Sequence, residues 1–156
     1  MDIGQAAPDF TLPTANEYDE NSEITLSNLR KNIVVLFFYP KDMTPGCTTE
    51  ATAFSALKKD FDAHSVKIIG ISKDSVARHN KFIAKHDLNI TLAADEDGKV
   101  CDAYGVWVLK KLYGREYMGI ERSTYLIDAE GKIVQIWRKV RVKGHAEAVL
   151  DCVKAL

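Results

Sequence analysis

Cysteine is scarce in this chain and widely spaced. Cys47, Cys101 and Cys152 are the only three in 156 residues, too few and too scattered for a disulfide scaffold. No uninterrupted apolar run reaches the ~18 residues that a membrane span needs. The opening MDIGQAAPDF carries an acid at Asp2 and no apolar core of a secretory signal. A reducing, cytoplasmic setting without membrane attachment is the expectation. An excess of charge of one sign is also missing. The formal net charge is −1, so no global field recruits nucleic acid or an anionic membrane. Neither G-x-x-x-x-G-K-[ST] nor G-x-G-x-x-G occurs, and no nucleotide or dinucleotide cofactor is implied. His79 and His86 are seven residues apart on one expected helix face. A metal pair needs closer spacing and more ligands, so both read as surface residues and no metal is expected.

What is present suffices for a folded core. The hydrophobic fraction is 46%, ordinary for a globular chain, and the length fits one domain over residues 1–156. No repeat, low-complexity tract or linker interrupts it. PDFTLP and the polar TANEYDENSE read as an extended arm and a loop, followed by a short strand at 24–26 and a brief helical turn capped by Ser27. IVVLFFY at 33–39 has no alternation and is rich in β-branched and aromatic residues, the mark of a strand buried on both faces. From Thr48 to about His64, Ala51, Phe54, Leu57 and Phe61 form the stripe of an amphipathic helix. VKIIGIS is a second strand, SVARHNKFIAKHDL a helix capped by Asp74 or Ser75, and ITLAAD a third strand. DEDGKVCDAYGV reads as a turn and a short helix, and 107–119 as a long connection of weak periodicity. RSTYLID and KIVQIWR form a hairpin, and HAEAVLDCVKAL closes the chain as a helix. This order is α/β, a central mixed sheet with helices on both faces. Sites in such sheets form beyond the carboxyl ends of strands.

Cys47 occupies such a place, after the first long buried strand and at the head of the next helix. A thiolate, not a thiol, is the nucleophile. The unpaired N–H groups and positive dipole end of a helix start favour the anion. Pro45 and Gly46 suit a tight turn that would aim the sulfur at those amides. Ionisation alone accomplishes little. Lowering a thiol pKa from ~8.5 to ~6 raises the neutral-pH thiolate fraction roughly 30-fold, while a Brønsted slope of ~0.45 costs about 13-fold in nucleophilicity. Most of the acceleration must come from groups that stabilise charge on a leaving atom.

The local pattern is Pro40-x-x-x-Thr44-x-x-Cys47. It resembles the PxxxTxxC signature of the peroxiredoxins. PDFTLP, VVLFFYPKDMTPGCTTEA, GISKDS, DEDGKVCDAYGV, YMGIERSTYLID, GKIVQIWRKV and KGHAEAVL together resemble the Q-type subgroup, the bacterioferritin comigratory proteins, from about Gly4 to the last helix. The resemblance implies a thioredoxin-like fold and a thiol-dependent peroxidase acting on hydrogen peroxide and organic hydroperoxides. It implies that Cys47 attacks a peroxide oxygen and becomes a sulfenic acid. Thr44 would hydrogen-bond the peroxide, Pro40 would shield the sulfur from water, and Arg122 would face the thiolate and the O–O bond. Glu50 is a candidate support for Arg122.

Q-type enzymes often carry a resolving cysteine five residues after the first, where this chain has Thr52, or in the next helix near Lys81–Lys85, where it has none. Cys101 and Cys152 read as packing residues. The expectation is therefore a one-cysteine cycle in a monomer, reduced by an external thiol: glutathione, a glutaredoxin or thioredoxin. A thiol–disulfide oxidoreductase on the same fold would want C-x-x-C, but Thr44 fills the first place. A peroxide-sensing or chaperone-like binding protein is the alternative from another class. Arg138, Lys139, Arg141 and Lys143 lack an interleaved aromatic platform and read as a solvated strand end, so no nucleic acid partner is expected.

Overall fold

The computed structural model describes residues 1–15 and 22–156. The strands are β1 (Thr11–Ala15), β2 (Glu23–Thr25), β3 (Ile33–Phe38), β4 (Val66–Ser72), β5 (Thr91–Ala94), β6 (Trp107–Leu112), β7 (Arg115–Ile120), β8 (Ser123–Ile127) and β9 (Ile133–Trp137). The helices are α1 (Pro45–Ala56), α2 (Lys58–Ala63), α3 (Val76–His86), α4 (Lys99–Ala103) and α5 (His145–Lys154), with a 3-10 turn at Leu26–Leu29. Among the described residues, seven strands form one mixed sheet in the order β2-β1-β5-β4-β3-β8-β9. β3 lies inside the sheet, parallel to β4 and antiparallel to β8.

Alternate residues of β3 divide the core. Val35 and Phe37 face one side, with Ala51 and Phe54 of α1, Phe61 of α2, Phe82 of α3 and Val149 of α5. Val34, Leu36 and Phe38 face the other, with Val100 and Cys101 of α4, Tyr104 and Tyr125. Helices thus cover both faces, unequally. Each fully buried Phe stabilises the fold by roughly 1.5–3 kcal/mol. Gly70 of β4 shapes the first face, since a Cβ there would stand 2.6 Å from the Phe37 ring. The room it leaves lets Phe37 stack on Phe54 at 4.8 Å, which seats α1 on the sheet.

The structure corrects several expected boundaries. The helix expected at 48–64 starts at Pro45 and breaks at Leu57, whose φ of −97° and ψ of 5° leave the helical region. The break turns α2 so that Phe61 is buried beside Phe54, with ring centroids 6.0 Å apart. The connection expected at 107–119 is an antiparallel hairpin, β6 with β7. Tyr113 and Gly114 both have positive φ, 50° and 77°, as a two-residue hairpin turn requires. Residues 111–118 are exposed throughout, so no alternation marks these strands in the sequence. The N-terminal arm contributes β1, paired with β2 and β5. Part of the loop expected in TANEYDENSE lies outside the described residues. Ser27 is inside the 3-10 turn rather than at its cap. Ser75, not Asp74, caps α3 by accepting the Arg78 N–H at 3.2 Å. His79, expected at the surface, is fully buried. Among the described residues no helix is long and apolar enough to cross a membrane.

Candidate active site

β3 ends at Phe38, and residues 39–44 cross from the sheet to α1. Met43 takes a left-handed φ of 67°. Thr44 follows in an extended conformation as the N-cap, and Pro45 fills the first helical position, where its missing N–H leaves no bond unmade. Cys47 is the third helical residue. The Thr48 N–H reaches the Thr44 carbonyl at 2.9 Å. The N–H groups of Gly46 and Cys47 precede that bond and have no carbonyl one turn earlier. The sulfur is therefore at the positive end of α1, on a residue only 1% exposed.

Thr44 has the side chain of a good cap, yet it makes no capping bond. Its hydroxyl donates instead to the Lys41 carbonyl at 2.9 Å. With its one proton so engaged, Thr44 Oγ1 has only lone pairs to offer a further partner.

Arg122 enters from the short link between β7 and β8. Its carbonyl accepts the Val140 N–H at 3.0 Å, fixing the backbone. Its guanidinium is forked. Nη2 donates to Cys47 Sγ at 3.3 Å and Nη1 to Glu50 Oε1 at 2.7 Å. Gly46 makes room for this, because a Cβ there would stand 3.1 Å from Nη2. Burial pulls the Arg122 pKa down, but Glu50 and the Cys47 sulfur outweigh it and hold the guanidinium above its ordinary value. Glu50 lies three residues beyond Cys47, one turn along the same helix face. It is 1% exposed, and burial raises its carboxyl to about 7 against the pull of Arg122. Its Oε2 has no hydrogen-bond partner among the described residues.

Cys47, Arg122 and Glu50 are thus in direct contact. Thr44 is half-buried at the helix start, and Pro40 is exposed where the chain leaves the sheet. Three other groups shape the site without having drawn notice in the sequence. Lys110 of β6 has its pKa lowered by partial burial and by Arg122. His145 donates to or accepts from Thr124 Oγ1 at 2.8 Å through Nε2. Burial, with Arg122 adding to it, holds His145 down to about 4, so it is neutral at pH 7 and adds no second cation beside Arg122. Asp42 is buried in the loop before Cys47. All three come from elements remote in sequence or from a loop without periodicity, so no local pattern marks them.

All three cysteines are free. Thr52 is exposed on α1, and residues 81–85 of α3 carry no sulfur. Cys101 belongs to the core on the opposite side of the sheet from Cys47. Burial and the neighbouring Asp95 push its thiol far above the usual range. Cys152 is partly buried on α5. That helix meets Phe54 at His145, with ring centroids 6.0 Å apart, and Cys152 is two turns further on.

The AhpC/TSA family matches residues 3–136. Peroxiredoxin Bcp of Bacillus subtilis is 47% identical over 154 residues, 99% of this chain and 96% of that protein. Bacterioferritin comigratory protein of Xanthomonas campestris, solved in a study of its alkyl peroxide reduction, superposes with a TM-score of 0.87 at 44% identity, over 94% of this chain and 90% of the other. Crystalline PrxQ of Xylella fastidiosa superposes with a TM-score of 0.92 at 38% identity, over 99% and 96%. The chain belongs to the AhpC/TSA family and, within it, to the Bcp or Q-type peroxiredoxins, which are thiol-dependent peroxidases.

Proposed function

We propose that this chain is a single-domain, monomeric, cytoplasmic peroxidase that reduces hydrogen peroxide and organic hydroperoxides at Cys47 in a one-cysteine cycle. The thiolate attacks the nearer peroxide oxygen. An S–O bond forms as the O–O bond breaks, and the leaving oxygen departs as hydroxide or alkoxide and takes a proton. Arg122 Nη2 and the N–H groups of Gly46 and Cys47 stabilise the charge on the reacting oxygens. Thr44 Oγ1 accepts from the peroxide O–H and so fixes its orientation. Pro40 screens the sulfur from bulk water. Glu50 holds Arg122 in place through Nη1 and leaves Nη2 for the sulfur. The action of the Xanthomonas relative on alkyl peroxides supports the organic substrates.

An external thiol then attacks the Cys47 sulfenic acid, forming a mixed disulfide and releasing water. A second thiol frees the Cys47 thiolate and leaves as the external disulfide. Glutathione, a glutaredoxin or thioredoxin fits this role. The observation that supports the one-cysteine cycle is the placement of the other residues: Thr52 stands at the fifth position after Cys47, Cys101 is fully buried behind the sheet, and Cys152 is two turns along α5 from the contact of His145 with Phe54. Intact mass after one equivalent of hydrogen peroxide tests it. One added oxygen on Cys47 is expected. Loss of two hydrogens, as an internal disulfide, would overturn it.

A further inference from the structure

The loop that delivers Cys47 is tied down by a buried cluster away from the reacting atoms. Asp42 and His79 have fully buried side chains, and His79 Nδ1 lies 2.6 Å from Asp42 Oδ2. The other ring nitrogen, Nε2, lies 3.0 Å from the Ala93 carbonyl oxygen. The Tyr39 hydroxyl donates to Asp42 Oδ1 at 2.6 Å. Burial first, and Asp42 second, hold the Tyr39 phenol well above its ordinary range, so it stays a donor. The Asp42 backbone N–H donates to Asp74 Oδ2 at 2.8 Å, and Asp74 is itself held by Ser72 and Arg78.

Hydrogen-bond counting constrains the ring. A carbonyl oxygen only accepts, so Nε2 must carry a proton. Nδ1 faces a carboxylate oxygen, and one proton must lie between them. Asp42 accepts at both oxygens, from the Tyr39 hydroxyl at Oδ1 and from the ring at Oδ2, the pattern of an ionised carboxylate, which places that proton on the ring. We infer that His79 is an imidazolium paired with the Asp42 carboxylate, and that the pair positions the Cys47 loop for attack on peroxide. It joins that loop, five residues before the sulfur, to α3 and to the end of β5. Tyr39 and Asp74 close the remaining valences of Asp42. The residues between the pair and Cys47 include Thr44, whose hydroxyl is bonded back to Lys41. Release of Asp42 would therefore let Thr44 and the first turn of α1 drift from the Arg122 fork. A buried charge pair is weak as a source of stability, but it fixes a single loop conformation. Asp42 and His79 are positioning residues and do not touch substrate.

Nitrogen-15 NMR of the wild-type ring tests the protonation directly, with no variant needed. At neutral pH both His79 nitrogens should show bonded protons and imidazolium-type shifts. A ring with one N–H would overturn the inference. His79→Ala should lower kcat/KM for hydrogen peroxide by about 10- to 100-fold, the scale of an ångström-level misplacement. Cys47 alkylation by iodoacetamide, which needs the thiolate but no aligned O–O bond, should change by no more than roughly threefold. Asp42→Asn offers a conservative rescue. Its amide NH2 donates to Nδ1 of a neutral ring and its oxygen still accepts from Tyr39, so the geometry survives without charge. That variant should show one ring N–H and keep most of the peroxide rate that Asp42→Ala loses. If His79→Ala does not fold, the Asp42→Asn spectrum and rate carry the test. A wild-type peroxide rate in a folded His79→Ala, equal losses towards peroxide and iodoacetamide, or an Asp42→Asn no better than Asp42→Ala would each overturn the positioning role.

Discussion

Arg122 Nη2 lies 3.3 Å from Cys47 Sγ, a contact between residues 75 positions apart in the chain. The guanidinium also faces Glu50, so its orientation is set from one side and used on the other. In the proposed cycle this fork serves charge stabilisation at the reacting oxygens, beyond ionisation of the thiol.

Arg122→Ala should accordingly lose peroxide reactivity even where the thiol is fully ionised. Removing one such donor costs about 100-fold or more in rate. The rate with hydrogen peroxide, measured at a pH where alkylation shows a complete thiolate, checks it. A loss that vanishes once ionisation is matched would mean that Arg122 acts only through the thiol's acidity.

Gly46→Ala should separate stability from activity. Alanine in place of glycine within a helix is favourable by roughly 0.5–1 kcal/mol. Yet the new Cβ would stand 3.1 Å from Arg122 Nη2 and displace the donor. Thermal denaturation should show an unchanged or raised Tm, while kcat/KM for peroxide falls about fivefold. Full activity would show that the guanidinium has slack.

Cys101→Ser with Cys152→Ser should keep its turnover with a small thiol reductant, since the proposed one-cysteine cycle uses neither sulfur to resolve the sulfenic acid. Cys47→Ser should abolish turnover with the fold intact. Peptide mapping of the oxidised wild type checks the same point. A high-yield Cys47–Cys101 or Cys47–Cys152 bridge, together with lost activity in the matching serine variant, would refute the one-cysteine cycle.

Two buried groups give opposite pH slopes to stability. Glu50 titrates near 7 when folded, above its ordinary 4.5. Between those values the folded chain holds a proton that the unfolded chain has released, so the Glu50 contribution falls as pH rises. His145 titrates near 4 when folded, below its ordinary 6.5. Between those values the unfolded chain binds a proton that the folded one refuses, so the His145 contribution falls as pH drops. Denaturant unfolding of Glu50→Gln and His145→Gln from pH 4.5 to 8 checks both. Relative to Glu50→Gln, the wild type should lose about 2–3 kcal/mol as pH rises, and relative to His145→Gln it should gain a similar amount. Curves parallel to the wild type would rule out both assignments.

The sequence by itself determined most of the sheet, most helices and the place of the proposed nucleophile. IVVLFF has no polar residue and VKIIGIS only Lys67 and Ser72, and both are short and rich in β-branched residues, so they read as strands covered on both sides. The apolar stripe from Ala51 marked the helix after Cys47, though not its start at Pro45, which reads as a turn residue until the chain is folded. The paired Arg122 and Glu50 were legible only through a recognised family pattern, because no local periodicity links positions 72 apart. The β6–β7 hairpin was not legible, since its outer part, residues 111–118, is exposed on both faces and has no alternation to read. Nor was the break at Leu57, where the need to bury Phe61 overrides a continuous apolar stripe. His79 is the clearest case of what tertiary structure alone decided. Its spacing from Val76, Phe82 and Ile83 puts it on the apolar stripe of α3, but a histidine is buried there only with partners, and Asp42 and the Ala93 carbonyl supply the two acceptors. Local chemistry fixes where an element starts and which face is apolar, whereas the pairing of a buried polar group depends on partners that only folding brings within 3 Å.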